Sequence, residues 1–292
     1  MTQRRRTGRE ALPMGREALP FARRVVVKIG TNALTNATGR FHRSHFNRLA
    51  EALLHVASSR QVLVVSSGAI ALGVERLGLP RRPKDVPGKQ ACAAVGQSRL
   101  MRAWEEALHP RVVAQVLLTH ADVQDRRRYL NARHTFERLL RDDVIPVINE
   151  NDTVSVDEIK FGDNDTLAGL VAGLVGADAL VVLSDVDGLY DADPRTHRDA
   201  RRIDVVPRVT RAMLAAAGGS GSAVGTGGMV TKLRAAARAT EAGVRCVIAA
   251  GQPADTVARI FEGQPVGTLF EPVGTSRDAR TGWIAHALKP QG

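Results

Sequence analysis

Two knots of carboxylate and amide side chains stand close together in the middle of the chain, N-E-N-D at 149–152 and G-D-N-D-T at 162–166. The first ends an apolar run (Val144, Ile145, Val147, Ile148), and the second opens into L-A-G-L-V-A-G-L. A buried strand that ends in amides and carboxylates is where an open α/β sheet places its ligand site. Asp, Asn and Thr ahead of an apolar periodic run also form a helix start. Either knot alone reads as a capped turn, whereas two within one strand-to-helix connection point to a site.

Three further clusters carry matching chemistry. Lys28 lies at the end of the apolar run R-V-V-V-K-I and is followed by Gly30-Thr31. A lysine there either snorkels to the surface or serves an anion-binding turn. In G-T-G-G-M-V-T-K-L (225–233), glycine N–H groups, a helix N-terminus and the ammonium of Lys232 together suit a phosphate. This is not a P-loop, because Thr231 stands where a glycine must precede the lysine. Ser66-Ser67-Gly68-Ala69 lacks the G-x-S-x-G pattern of a nucleophile elbow, and Ser67 and Gly68 fit better as donors to a substrate carboxylate.

The elements that must position these groups alternate. Strands are predicted at 24–29, 62–65, 112–117, 144–148, 179–183 and 244–249. Helices are predicted at 46–57, 90–108, 129–140, after Asp165, at 231–242 and near 255–261, with G-T-L-F at 267–270 following. This rhythm argues for an α/β fold with a mainly parallel, doubly wound sheet. K-I-G-T-N, S-S-G-A, N-E-N-D and S-D-V-D-G (184–188) then meet at the carboxyl ends of four strands. Residues 1–22, with G-R-E-A-L-P at 8–13 and again at 15–20, are expected to form a disordered basic extension.

Composition narrows the function classes. A chain of 292 residues with 44% hydrophobic and 24% charged side chains is an ordinary globular protein. The net charge of +11 fits a nucleic-acid or anionic surface, and fits an anionic substrate equally well. Cys92 and Cys246 are isolated and no H-E-x-x-H motif occurs, so two reduced core thiols and no protein metal site are expected. No stretch has the length and apolarity of a membrane span and no secretory signal is visible, which leads to a cytoplasmic expectation.

The chain resembles the amino acid kinase superfamily, and within it the glutamate 5-kinases. The residues that carry the likeness are V-V-K-I-G-T-N (26–32), V-S-S-G-A-I-A-L-G (65–73), A-A-V-G-Q-S-R-L (93–100), L-N-A-R (130–133) and P-V-I-N-E-N-D (146–152). I-K-F-G-D-N-D-T-L (159–167), L-S-D-V-D-G-L-Y-D-A-D-P-R (183–195), G-T-G-G-M-V-T-K-L-R-A-A (225–236), I-A-A-G (248–251) and G-T-L-F (267–270) follow in order. The resemblance implies a three-layer sandwich, a central mainly parallel sheet between helices, over residues 23–272, with substrate in the N-terminal half and nucleotide in the C-terminal half. It implies transfer of the γ-phosphoryl of ATP, with Mg²⁺ carried mainly by the nucleotide, to the side-chain carboxylate of L-glutamate, the first step of proline biosynthesis.

By the same resemblance Lys28 and Lys232 flank the transferred group, with Asp165 orienting them. Ser67, Asp152, Asn164 and Asp163 bind glutamate. Lys28, Ser184, Asp185, Thr226, Gly227, Gly228, Met229, Val230, Thr231 and Lys232 contact the nucleotide. Feedback inhibition by proline, a dimer or tetramer, and hand-off of the product to glutamyl-phosphate reductase are further expectations of the family. Many members carry a C-terminal PUA domain. The chain ends at Gly292, about where it would begin, so 273–292 is expected to be a tail. Kinases of acetylglutamate, aspartate, carbamate or UMP are the nearest alternatives. A basic nucleic-acid-binding protein is a second class, which would leave the polar clusters unexplained.

Overall fold

A computed structural model describes residues 15–36, 38–155, 164–218 and 228–273. The first part of the chain runs β1 (Arg24–Ile29), α1 (Thr31–Leu34), α2 (Arg43–Ala57), β2 (Gln61–Ser66), α3 (Ala69–Arg76), α4 (Val86–Ala107), β3 (Val113–Leu118), α5 (His120–Gln124), α6 (Arg126–Arg141) and β4 (Ile145–Glu150). The second part follows as α7 (Asn164–Val175), β5 (Ala179–Ser184), β6 (Val205–Val206), α8 (Arg211–Gly218), α9 (Met229–Glu241), β7 (Arg245–Ala250), α10 (Thr256–Phe261) and β8 (Thr268–Phe270). The strands form one sheet in the order β3-β4-β2-β1-β5-β7-β8-β6. Every neighbouring pair is parallel except β7 and β8.

Strands β4 and β5 are buried along their whole length, as expected of strands covered by helices on both faces. The two-residue period sorts β1 between two cores. Val25, Val27 and Ile29 join Phe46, Leu53 and Trp104 on the side of α2 and α4. Val26 joins Leu167, Val171, Leu233 and Ala236 on the side of α7 and α9. Lys28 shares the face of Val26, so its side chain projects toward α7 and α9. An ammonium in that layer loses its hydration and must be paired there.

Helices α3 and α4 cross where both are reduced to glycine. A Cβ on Gly73 would lie 1.8 Å from the carbonyl oxygen of Cys92, and one on Gly96 would lie 1.8 Å from that of Ala69. The crossing gives V-S-S-G-A-I-A-L-G and A-A-V-G-Q their structural meaning. It also fixes the first turn of α3, directly after Ser67-Gly68, against the middle of α4.

Three expectations are corrected. Residues 15–22 do not belong to an extension: Arg16–Phe21 forms a 3₁₀ turn with Ala18 and Leu19 buried. The Arg16 guanidinium donates to the carbonyls of Val266, Gly267 and Asp204 at 2.7, 2.6 and 3.0 Å. Pro20, which reads as a breaker, lies within this turn, and residues 1–14 lie outside the described residues. Second, β4 continues through Asn149 and Glu150, each 3% exposed, so the first polar knot begins inside the sheet. Third, α1, α3 and α5 are short helices that had no recognisable period in the sequence. Cys92 and Cys246 are buried free thiols, and Arg126, Arg127 and Arg128 are exposed on α6.

Candidate active site

The carboxyl ends of β4, β2, β1 and β5 stand side by side. Register places Lys28 opposite Val65 on one side and Val182 on the other, and Ile29 opposite Ser66. Lys28 does not snorkel: it is 6% exposed and forms an ion pair with Oδ1 of Asp165, the second residue of α7. Lys232, one turn into α9, approaches Oδ2 of the same carboxylate at 3.5 Å. The Thr231 hydroxyl donates to Oδ2 at 2.7 Å.

A buried carboxylate between two buried ammonium groups has a definite electrostatic character. Burial pushes the Asp165 carboxyl up, but the charges of Lys28 and Lys232 outweigh it and hold the group below the usual carboxylate range. Burial pulls Lys232 down, opposed by Asp165 and helped by the nearby charge of Lys28. Two cations share Asp165, with the Asp185 carboxylate also acting on Lys232, and Gly228 caps α9 beside them with the helix's positive end. An anion is what such a place attracts.

On the nucleotide side of the expectation, Ser184 donates to Oδ1 of Asp185 at 2.8 Å, and Asn32 donates to Oδ2 at 3.0 Å. Burial raises the Asp185 carboxyl, and these hydrogen bonds outweigh it and hold it below its ordinary value. Gly228, Met229, Val230 and Thr231 lie at or within the first turn of α9. Thr226 and Gly227, like Asp163, lie outside the described residues.

On the other side, Asn164, the first residue of α7, donates through Nδ2 to the Ser67 hydroxyl and to Oδ1 of Asn149, both at 2.9 Å. The Ser67 N–H is committed to the carbonyl of Ile29 at 3.0 Å, so only its hydroxyl proton is available to a ligand. Asp152 follows β4 in a turn and is 8% exposed. Burial, and then the charge of Glu150, push its carboxyl up to about 7. Asp152 and Glu150 line a cleft of about 250 Å³ with Ala93, Ala94 and Gln97 of α4, Leu117 of β3, Asn151 and Thr153. The Ser155 hydroxyl donates to Oε1 of Glu150 at 2.9 Å, whereas Oε2 is buried with no partner among the described residues.

Sequence reasoning passed over Asn32, Gln97, Asn149 and Glu150. Asn149 and Glu150 were visible in the N-E-N-D knot and Gln97 in A-V-G-Q, but nothing in their spacing said that they face one another. A larger recess of about 380 Å³, at Asp191, Ala192 and 197–200, holds none of the residues above.

The model of the amino acid kinase family matches residues 23–250. A glutamate 5-kinase of Myxococcus xanthus is 65% identical over 288 residues, 98% of this chain and 74% of that protein. One of Anaeromyxobacter dehalogenans is 53% identical over 275 residues, 92% of this chain and 72% of that protein. Among solved structures, carbamate kinase from Giardia lamblia bound to AMP-PNP superposes with a TM-score of 0.60 at 15% identity, over 86% of this chain and 99% of that one. UMP kinase from Bacillus anthracis gives 0.58 at 17%, over 87% and 97%. These two share the fold. With the family model spanning most of the chain and close relatives along nearly all of it, the protein belongs to the amino acid kinase family, on its glutamate 5-kinase branch.

Proposed function

We propose that the chain transfers the γ-phosphoryl of ATP to the side-chain carboxylate of L-glutamate, giving L-glutamyl 5-phosphate, the first step of proline biosynthesis. The observation that carries this reading is the single buried carboxylate of Asp165 held between Lys28 and Lys232, with an acidic, amide-lined cleft on one side. A glutamate side chain, with a pKa of about 4.3, is already ionised at neutral pH and needs no general base. The barrier is the approach of that anion to a polyanionic nucleotide. Lys28 and Lys232 offset the repulsion and stabilise charge on the transferring group, and Asp165 fixes both ammonium groups without reorganisation.

Glutamate lies in the N-terminal half, with its α-ammonium at Asp152 and its oxygens at Ser67 and Asn164. Asp152 supports this role because it is buried beside a second carboxylate, an arrangement that a bound cation relieves. An N-acetylated substrate offers no such cation. Nucleotide lies in the C-terminal half, toward Ser184, Asp185 and the first turn of α9, and Asp163, Thr226 and Gly227 complete the two sites. Mg²⁺ comes with the nucleotide, held mainly through its phosphates. When bound, the ion supplies further charge neutralisation on the phosphates.

An acyl phosphate is prone to hydrolysis, so the reading includes hand-off to glutamyl-phosphate reductase. Proline as a feedback ligand, a dimer or tetramer, and a cytoplasmic location also belong to it. Among the described residues no helix is long and apolar enough to cross a membrane.

The test is ATP, Mg²⁺ and hydroxylamine with L-glutamate, acetylglutamate, L-aspartate or carbamate, scoring hydroxamate and ADP. Glutamate-dependent γ-glutamyl hydroxamate is the expected outcome. Turnover with a different carboxylate would reassign the substrate.

A further inference from the structure

Three side-chain amides near the cleft form a chain whose direction the backbone fixes. The Glu150 N–H donates to Oδ1 of Asn149 at 2.9 Å, which turns Nδ2 of Asn149 toward Gln97. Asn149 Nδ2 then donates to Oε1 of Gln97 at 2.8 Å. At the other end, Asn164 Nδ2 faces the Ser66 carbonyl at 3.5 Å as well as Ser67 and Asn149, so its amide is oriented by a group that can only accept. No amide in the series can flip without setting donor against donor or acceptor against acceptor.

The fixed direction leaves one unused group at each end. Among the described residues, Gln97 Nε2 is a buried donor without a partner, and Asn164 Oδ1 is a buried acceptor without one. Leaving such groups unpaired forfeits their hydration without compensation, so each calls for a ligand atom of opposite kind. Gln97 lines the cleft together with Glu150 and Asp152. The carboxylates there suit an ammonium, and an N–H donor among them suits an anionic oxygen. A ligand carrying ammonium and carboxylate on one carbon satisfies both.

We infer that Gln97 Nε2 donates to the α-carboxylate of the substrate, making Gln97 a specificity-determining residue that selects α-amino acids over simple amines bearing a distal carboxylate. The inference rests on the reading of the substrate as glutamate. The amide chain gives it a directional element: Asn149, anchored by the Glu150 N–H, dictates which end of the Gln97 amide meets the ligand.

The test compares L-glutamate with 4-aminobutyrate, which is glutamate without its α-carboxylate, and with glutarate, which lacks the ammonium. The analogues serve as competitive inhibitors of ATP turnover. Gln97→Met keeps the volume and removes the donor. Gln97→Glu keeps the acceptor for Asn149 and presents a carboxylate oxygen in place of the N–H. Both should raise the glutamate KM by roughly tenfold to a hundredfold, with the ATP KM unchanged. Inhibition by 4-aminobutyrate should stay within about twofold of wild type, and inhibition by glutarate should weaken along with glutamate binding. A uniform loss for all three ligands, or no loss for glutamate, in folded variants would overturn the role of Gln97. Wild-type protein that neither binds nor turns over glutamate would instead overturn the substrate reading itself. If Gln97→Glu does not fold, Gln97→Met carries the comparison alone.

Discussion

Asp165 concentrates the chemistry of the site in two oxygen atoms, one facing Lys28 and the other facing Lys232 and Thr231. Lys28→Ala or Lys232→Ala should lower kcat by about 10²–10³, the size of effect seen when one preorganised charge-stabilising group is lost. Asp165 keeps its other lysine in each variant, so the stability loss should be smaller than the ~3–5 kcal/mol of a buried pair broken outright. Circular dichroism melts run beside the kinetics check both statements. Asp152 behaves in the opposite sense. Its carboxyl is raised to about 7 in the folded state from an ordinary 3.8. Between those values the folded chain holds a proton that the unfolded chain has released, so stability falls as pH rises across that window. The penalty is absent below about pH 4 and complete above about pH 7, where it is on the order of 4 kcal/mol at most. Asp152→Asn should therefore raise the melting temperature of the ligand-free protein at pH 8 and leave it unchanged near pH 4. The same variant should raise the glutamate KM at least tenfold, and in the wild type that KM should fall with rising pH up to about 7 and then level off. Lys28, Asp165 and Asp152 were legible in the sequence because Lys28 interrupts an apolar run, Asp152 closes the polar knot that follows one and Asp165 stands just ahead of another. Asn149 and Gln97 were not, since their partnership crosses from a strand to a helix 52 positions away.

At the scale of elements, the α3–α4 crossing is the part of the fold with least tolerance. Gly96→Ala sets a methyl 1.8 Å from a backbone oxygen that has no flexible side chain to yield. The helices must separate, at a cost of about 3 kcal/mol or more. Because Ser67 lies two residues before the start of α3 and Gln97 adjoins Gly96, the glutamate KM should rise together with the loss of stability. Gly78, with φ of +63° and nothing within 4 Å of its missing Cβ, gives a contrast. Gly78→Ala should cost only about 1 kcal/mol, the backbone term alone, with no change in KM. Urea unfolding of both variants, with glutamate kinetics on each, checks the pair. The periodic elements were readable within a few residues, because β1, β2, β5 and β7 are apolar runs and α2, α6 and α9 have helical spacing. The crossing itself was not, since a glycine in sequence does not announce what approaches it. Nor was the continuation of β4 through Asn149 and Glu150, where two polar residues resemble a strand end until neighbouring strands cover them.

At the scale of the molecule, the sheet order explains why residues far apart in sequence meet. From β1 the chain goes first to β2 and returns later to β5 on the opposite side, so the carboxyl end of β1 lies where the two halves diverge. The N-terminal turn ties the start of the domain to its last strands through Arg16. Arg16→Ala should lower stability by roughly 2 kcal/mol, as charge-assisted hydrogen bonds are lost, while kcat and the glutamate KM stay at wild-type values. Thermal unfolding with steady-state kinetics tests it. That turn escaped a reading based on period because its two buried residues, Ala18 and Leu19, sit between prolines and arginines.

Lys28 belongs to the first strand and Lys232 to one of the last helices, yet both close on a carboxylate contributed from between them. A chain in which α9 has not docked has one cation too few at Asp165. Full activity therefore reports that the last helices have docked, since only then do both cations meet on Asp165.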